Sequence, residues 1–508
     1  MRTRHEATAS SYDIVVIGAG LGGLATSIRT AAAGARVLVV EQDTQPGGKM
    51  NRRQVAGFSF DTGPSLITLP GVIAELFRAG GARLGDYLTL QPLHPICRYR
   101  FADGTEFAAD SDLPAMLAAI GRLDPRDRAG YLRFLAFGRA LFARAARPFL
   151  FQERPRPLDL VRRRGWDVLR IGALRTMDAA VRAHFHSPYL RQLFNRYATY
   201  SGSSPYRAPA TLCLIPYLEL TYGAWYIPGG LYRLVEALAQ RAAEMGVALR
   251  TGTAVRAVRC RPAAAGDRPA AVGVDLATGE TIAAGQVVVN ADPLYAYRAL
   301  LPPAYRPRRE PAAWATPADD LSSAGFVLLL GVDRDYPALD HHNIFFSGDY
   351  PAEFAALAAR RPAPDPTVYV NYTSRSDPTQ APPGCGSLFV LVNAPALTPD
   401  AAWDRWAAPY RTRILARLEA AGLADLRRHI VVSQTLTPAD FAARYNAFGG
   451  AIYGFASNHP AAAFHRPANR APGLDRLWFV GGSAHPGGGI PLALLSARIV
   501  ARGLLGTA

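Results

Sequence analysis

Asp13-Ile-Val-Val-Ile-Gly18-Ala-Gly20-Leu-Gly-Gly23 is the stretch that decides the fold. Asp13 to Ile17 reads as a short buried strand. Gly18 and Gly20 permit a tight turn that lets the backbone approach a pyrophosphate, and Gly23 lets the following helix close onto the strand. The pyrophosphate would rest on the free N–H groups of the helix start, where the dipole favours negative charge. A second strand, Arg36 to Val40, ends in Glu41, whose carboxylate suits ribose hydroxyls and disfavours a 2′-phosphate. The adenosine diphosphate moiety of FAD or NAD is therefore expected. Gly47-Gly48-Lys49 and Asp61-Thr62-Gly63-Pro64 extend the nucleotide site into a long loop suited to a larger, permanently held cofactor, which favours FAD. Lys49 is the chain's one lysine and stands beside the phosphate loop.

A chain of 508 residues, 49% hydrophobic, is long for one domain, and two or three units sharing an interface are expected. The predicted class is α/β: a Rossmann-type FAD-binding domain built from discontinuous segments, a mixed sheet-plus-helix substrate domain and a helical membrane-facing region. Residues 12–75, 226–299 and 441–508 are assigned to the FAD-binding domain, 76–225 to the substrate and membrane-facing region, and 300–440 to the substrate-domain sheet. Cys97, Cys213, Cys260 and Cys385 are far apart and form no C-x-x-C pair. That argues against a disulfide framework or zinc site and for a reducing cytoplasm.

The formal charge of +16 asks for an anionic partner. No nucleic-acid motif accompanies it. The densest basic stretch, Arg139 to Arg170, interleaves Arg144, Arg147, Arg154, Arg156, Arg162, Arg163 and Arg164 with Phe149, Leu150, Phe151 and Trp166. It fits an interfacial segment on an anionic membrane, and equally an ordinary arginine-rich surface helix. No apolar run approaches the ~18 to 20 residues that span a bilayer. Residues 1 to 28 look superficially like a signal peptide, but Asp13 interrupts their apolar stretch, which is the first strand and helix of the nucleotide fold. Export is not expected.

Between these landmarks, Tyr87 to Phe107 alternates apolar and polar residues around a hairpin turn, Ala102-Asp103-Gly104-Thr105. Residues 111 to 200 follow a helical pattern broken at Pro125, Pro148, Pro155 and Pro157. Tyr197 to Gly230 gathers Tyr200, Tyr206, Tyr217, Tyr222, Trp225 and Tyr226 among four prolines, a stiff aromatic wall suited either to a long apolar ligand or to core packing. A helix from Gly229-Gly230 to Met245 leads to strands over 247–250, 253–260, 271–276 and 281–290, the last ending at Asn290-Ala291-Asp292. Strands 325–332, 367–372 and 386–393 and a helix over 401–421 follow. The chain closes on Leu477-Trp-Phe-Val480, a loop Gly481-Gly482-Ser-Ala-His485-Pro-Gly-Gly-Gly-Ile490-Pro491 and a helix from Leu492. A second helix start of this kind favours the electron-rich edge of a reduced flavin.

With these motifs in order, the chain resembles the bacterial carotenoid desaturases of the phytoene desaturase family almost end to end. The likeness includes Ser204-Pro-Tyr-Arg-Ala-Pro209, Ile215-Pro-Tyr-Leu-Glu219 and Trp225-Tyr226 before Pro228-Gly229-Gly230, and its most specific element is the His485-to-Pro491 loop. The resemblance implies non-covalent FAD, peripheral attachment to the inner membrane from the cytoplasm, and a C40 or C30 polyene taken from the bilayer. It implies Glu41 for ribose, Val255 for an adenine backbone contact, and Gly63, Pro64, Gly482, Ile490 and Pro491 along the flavin. Gly18, Gly20, Gly23, Gly48, Lys49 and Asp292 complete the expected cofactor site, and no metal is expected. Gly481-Gly482-Ser483 and Pro491-Leu492 look more like 3,4-desaturases of 1-hydroxylated or monocyclic carotenoids than like phytoene desaturases forming neurosporene or lycopene. Quinone or oxygen would reoxidise the flavin.

Desaturation removes a hydride and a proton from adjacent carbons. The hydride goes to the cofactor, so a proton acceptor is the group to seek. Glu219, between Leu218 and Leu220, is one candidate: desolvation would make it an acceptor near neutral pH, unless backbone hydrogen bonds hold it. His485 is the other, as a proton relay or a stabiliser of reduced flavin, unless it only shapes its loop. Two rivals share the scaffold. An amine or alcohol oxidase would need a polar substrate site, and a non-catalytic prenyl-lipid carrier related to Rab escort proteins would not need the complete terminal loop.

Overall fold

The computed structural model describes residues 11–145, 149–154, 174–263, 267–307, 321–398 and 400–506. Two seven-stranded sheets organise it. In the first, Ser11–Ile17 lies between Thr281–Val289 and Val37–Val40, parallel to both, and Val37–Val40 pairs in parallel with Ala248–Arg250. Strands covered on both faces must be apolar throughout, and all four residues of Val37–Val40 are buried. Thr281–Val289 shares its outer edge: its first residues pair antiparallel with Ala270–Leu276, and its last three pair in parallel with Leu477–Phe479. Val255–Arg261 closes that side. The carboxyl ends of Ser11–Ile17, Val37–Val40, Thr281–Val289 and Leu477–Phe479 therefore converge, the usual place for a ligand in such a sheet.

The second sheet runs Ile430–Leu436, Ala324–Val332, Gly386–Ala394, Val368–Tyr372, His342–Phe345, Cys97–Arg100 and Glu106–Ala109. Ala324–Val332, buried at every position, pairs antiparallel on both sides. The expected hairpin is present, with Gly104 at φ +85° and Phe101 N–H donating to Thr105. Cys97–Arg100 pairs in parallel with His342–Phe345 and antiparallel with Glu106–Ala109, so this sheet takes two strands from residues 76–225 as well as those from 300–440. Two strands of this sheet are not announced by the sequence. His342–Phe345 is short and begins with His-Asn, and Ile430–Leu436 is an edge strand with Val431 exposed.

Helices occupy the 111–200 region as far as it is described: Leu113–Leu123, Asp127–Ala145, Met177–His184 and Pro188–Arg196. Most of the basic aromatic segment, including Arg147, Arg156, Arg162, Arg163, Arg164 and Trp166, lies outside the described residues, as do Pro148, Pro155 and Pro157. Among the described residues no helix is long and apolar enough to cross a membrane.

Candidate active site

A continuous cavity of about 890 Å³ opens at the carboxyl ends of the first sheet and runs to the aromatic segment beside the second. Gly18, Gly20, Glu41, Gly48, Lys49, Gly63, Pro64, Val255, Asp292, Gly482, His485, Ile490 and Pro491 all line it. Gly23 does its work out of sight of the cavity: a Cβ there would stand 2.2 Å from the Gly18 carbonyl oxygen, so only glycine lets the helix pack against its strand.

The nucleotide turn is built around a residue that the motif did not announce. Asn290, at the end of Thr281–Val289, donates from Nδ2 to the Gly18 carbonyl. Its amide also fills the space where a Cβ on Gly20, Gly22 or Gly481 would sit, at 2.6 to 2.7 Å. One side chain thus locks the first turn to the loop after Leu477–Phe479. Its only sequence signal is its place in Asn290-Ala291-Asp292. The helix Leu21–Ala31 then starts at Gly20 with no side-chain cap, leaving its first N–H groups to a ligand.

Glu41 is buried, and both its oxygens already serve the loop: Oε2 accepts from Ala19 N–H at 2.7 Å and Oε1 from Asp43 N–H at 2.9 Å. Burial nevertheless holds its carboxyl above the usual range. In Gly47-Gly48, it is Gly47 that sterics demand, at φ +122° with its Cβ position 2.2 Å from the Met50 oxygen. Gly48 at φ +57° meets only the Gly20 Cα, at 3.6 Å. Gly63 packs against the Lys49 carbonyl, where a Cβ would be 1.9 Å from the oxygen. Asp61 lies behind the wall and binds the turn before Arg233–Glu244, accepting from Leu231 and Tyr232 N–H. Burial pushes it up to about 6.

Lys49 reaches across the cavity rim and donates to the carbonyls of Ala451 (3.1 Å) and Ile452 (2.7 Å). Burial pulls its ammonium down to about 8, against the attraction of Asp292. Asp292 caps the turn Pro293–Tyr295, and burial raises its carboxyl while Lys49 opposes this. Arg466, also buried, donates to the carbonyls of Tyr453, Phe455 and Gly482. Ile490–Leu505 begins with Pro491 in its first turn and no side-chain cap, so a second set of free N–H groups faces the cavity. Two uncapped helix starts, a glycine turn and a buried acid after the second strand fit FAD.

The two proton-acceptor candidates are not brought together. Glu219, 1% exposed on the helix Leu214–Tyr222, stands one layer behind the wall. Its oxygens accept from Tyr197 (2.8 Å) and Tyr200 (2.5 Å), and Tyr200 lines the cavity. The hydrogen bonds expected from backbone thus come from two tyrosines. Burial and the charge of Glu219 hold both phenols well above their ordinary value. Arg196 covers the cluster, its guanidinium 4.6 to 5.4 Å from the ring centres of Tyr197, Tyr200 and Tyr99. His485 is buried with Nε2 3.0 Å from the Gln152 carbonyl oxygen, and burial pushes it down to about 4, so it is neutral near pH 7 and donates to that carbonyl.

This burial has a measurable consequence. The unfolded chain binds a proton at His485 near pH ~6.5 and the folded chain refuses it until about 4, so this group costs stability as pH falls through that window. His485→Asn is expected to reduce the difference in urea unfolding free energy between about pH 7 and about pH 4.5 by up to ~2 kcal/mol. An unchanged difference would show that the imidazole is not held neutral by the fold.

The flavin-containing amine oxidoreductase family matches residues 21–505. A 4,4'-diapolycopene oxygenase from a Methylomonas species is 36% identical over 96% of this chain and 97% of its own. The zeta-carotene-forming phytoene desaturase of Myxococcus xanthus is 36% identical over 98% of this chain and 95% of its own. A 1-hydroxycarotenoid 3,4-desaturase from Flavobacterium sp. strain P99-3 is 34% identical over 96% of this chain and 98% of its own. Among solved structures, an oxidoreductase from Methanosarcina mazei superimposes with a TM-score of 0.64 at 17% identity, covering 96% of this chain and 99% of the other, a likeness of fold alone. With the family matched along nearly its whole length and relatives of this kind, the chain belongs to the flavin-containing amine oxidoreductases and, among them, to the bacterial carotenoid desaturases, as an oxidoreductase whose cofactor is FAD.

Proposed function

We propose that the protein introduces C=C bonds into a membrane-dissolved carotenoid, with 3,4-desaturation of a 1-hydroxy or monocyclic carotenoid as the favoured reaction. The observation that carries this reading is the continuity of one cavity from the nucleotide turn to a wall of Leu212, Leu214, Ile215, Leu218 and Phe389. A long hydrocarbon can lie along that wall and still reach the cofactor, whereas a small amine would find few polar partners. The relative named as a 1-hydroxycarotenoid 3,4-desaturase supports the finer assignment. The M. xanthus relative supports the second reading, desaturation of phytoene.

Bound FAD supplies the hydride acceptor. The chain's own residues then have two tasks. The apolar wall aligns the polyene and excludes water. Tyr200 takes the substrate proton on its oxygen while its own proton passes to Glu219 Oε2 along the 2.5 Å hydrogen bond, leaving Glu219 as the neutral acid. Arg196, over both tyrosine rings, holds the pair in place. His485, committed to Gln152, shapes the terminal loop. We further assign the protein to the cytoplasmic face of an anionic inner membrane, where a quinone or oxygen takes the electrons.

The test is anaerobic mixing of the FAD-loaded protein with liposomes carrying phytoene, lycopene or a 1-hydroxycarotenoid, followed by visible spectra and pigment analysis. Bleaching of the flavin with a red-shifted polyene is the expected result. A protein that binds carotenoid without bleaching would instead be a carrier, and one bleached only by amines or alcohols would be an oxidase of that class.

A further inference from the structure

A buried polar group normally has a hydrogen-bond partner, and the exceptions call for an explanation. Two such exceptions belong to side chains that border the apolar part of the cavity. Arg196 is 8% exposed and Tyr350 4% exposed, both line the cavity, and among the described residues neither Arg196 Nε nor the Tyr350 hydroxyl has a hydrogen-bond partner. Neither side chain is free to turn elsewhere. Arg196 donates from Nη2 to the Tyr99 hydroxyl at 3.0 Å and is stacked over three tyrosine rings. Tyr350 is held edge-on between Phe346 and Phe354, with ring centres 5.6 and 5.0 Å away. Tyr99, the partner of Arg196, stacks on the same Phe346 at 5.8 Å, so the two unpaired donors belong to one packed cluster.

The surroundings confirm that this is a polar end to an apolar space. Thr367 lines the cavity and donates to Glu353 Oε2 at 2.7 Å, and Ser347 donates to the same oxygen at 2.9 Å. Glu353 Oε1 has no partner among the described residues. A hydrocarbon terminus would leave Arg196 Nε and the Tyr350 hydroxyl without an acceptor. An oxygen at the chain end would accept from Arg196 Nε–H and Tyr350 O–H.

We propose that Arg196 Nε and the Tyr350 hydroxyl form a seat for an oxygen atom, hydroxyl or carbonyl, at the terminus of an otherwise apolar polyene. The proposal rests on the carotenoid reading above and deepens it. Discrimination of this kind is strong because the wrong substrate leaves buried donors unsatisfied.

The experiment compares three polyenes of matched length with the FAD-loaded protein: a hydrocarbon, its 1-hydroxy derivative and its terminal aldehyde. KM and kcat are measured for wild type, Tyr350→Phe and Arg196→Lys, and FAD content and melting temperature report folding. Wild type is expected to favour at least one oxygenated substrate over the hydrocarbon. Each variant is expected to reduce that preference by roughly three- to tenfold, mainly through KM. A hydroxyl preference and an aldehyde preference are both consistent with the seat and identify its ligand. A preference equal in wild type and Tyr350→Phe overturns the seat and leaves the desaturase reading standing. Failure of the FAD-loaded wild type to convert any of the three overturns the desaturase reading and the seat with it.

Discussion

Gly20→Val is expected to yield protein without FAD. A Cβ at position 20 already falls 2.7 Å from Asn290 Nδ2, and the two methyls of valine extend beyond it into the space where the backbone must approach a pyrophosphate. Asn290 has no room to withdraw, because its amide also packs against Gly22 and Gly481 and donates to Gly18. Displacing it disturbs both the first turn and the loop that leads to Ile490–Leu505. The loss should therefore be near complete, well beyond the about 0.5–1.5 kcal/mol of one hydrogen bond. Gly48→Ala is the matched control: the nearest atom to its Cβ position is 3.6 Å away, and only the positive φ resists. The ratio of flavin to protein absorbance after purification checks both, with circular dichroism to report folding. A normal ratio in Gly20→Val would show that the nucleotide does not approach this turn.

The nucleotide turn was legible because its chemistry is local. A strand, a glycine turn and a helix within a dozen residues, with an acid after the next strand, can be built in only one way. The same holds for the uncapped helix start at Ile490, announced by its glycines and Pro491. What could not be read depends on partners hundreds of residues away. Asn290 is an ordinary polar residue until Thr281–Val289 is laid beside Ser11–Ile17. The His485 imidazole faces a carbonyl at Gln152, a contact that no spacing announces. Glu219 stands out as an acid among apolar neighbours, but its two phenolic partners belong to the preceding helical segment, where the sequence marks them only as part of an aromatic wall. The hairpin at 97–109 shows the same limit in the fold. Its turn is encoded in Asp103-Gly104, whereas its parallel neighbour, His342–Phe345, is chosen by tertiary packing.

If Glu219 is the final acceptor, Glu219→Gln keeps the shape and one acceptor oxygen for the two tyrosines, while an NH2 donor replaces the other oxygen and no basic carboxylate remains. Flavin reduction by carotenoid is then expected to slow by roughly 10²- to 10⁴-fold with FAD still bound, the usual span for a general acid–base group. Tyr200→Phe should slow it by a similar factor for a different reason: Tyr200 lines the cavity and Glu219 stands behind it, so removing the hydroxyl breaks the connection. Two residues in one relay are not additive, so the double variant should be scarcely slower than either single one. Anaerobic single-turnover mixing, followed by flavin absorbance, measures all three. Additive losses would show that Glu219 and Tyr200 act separately. Wild-type rates in both single variants would remove the pair from the chemistry, leaving alignment of the polyene along the apolar wall as the protein's contribution to the rate.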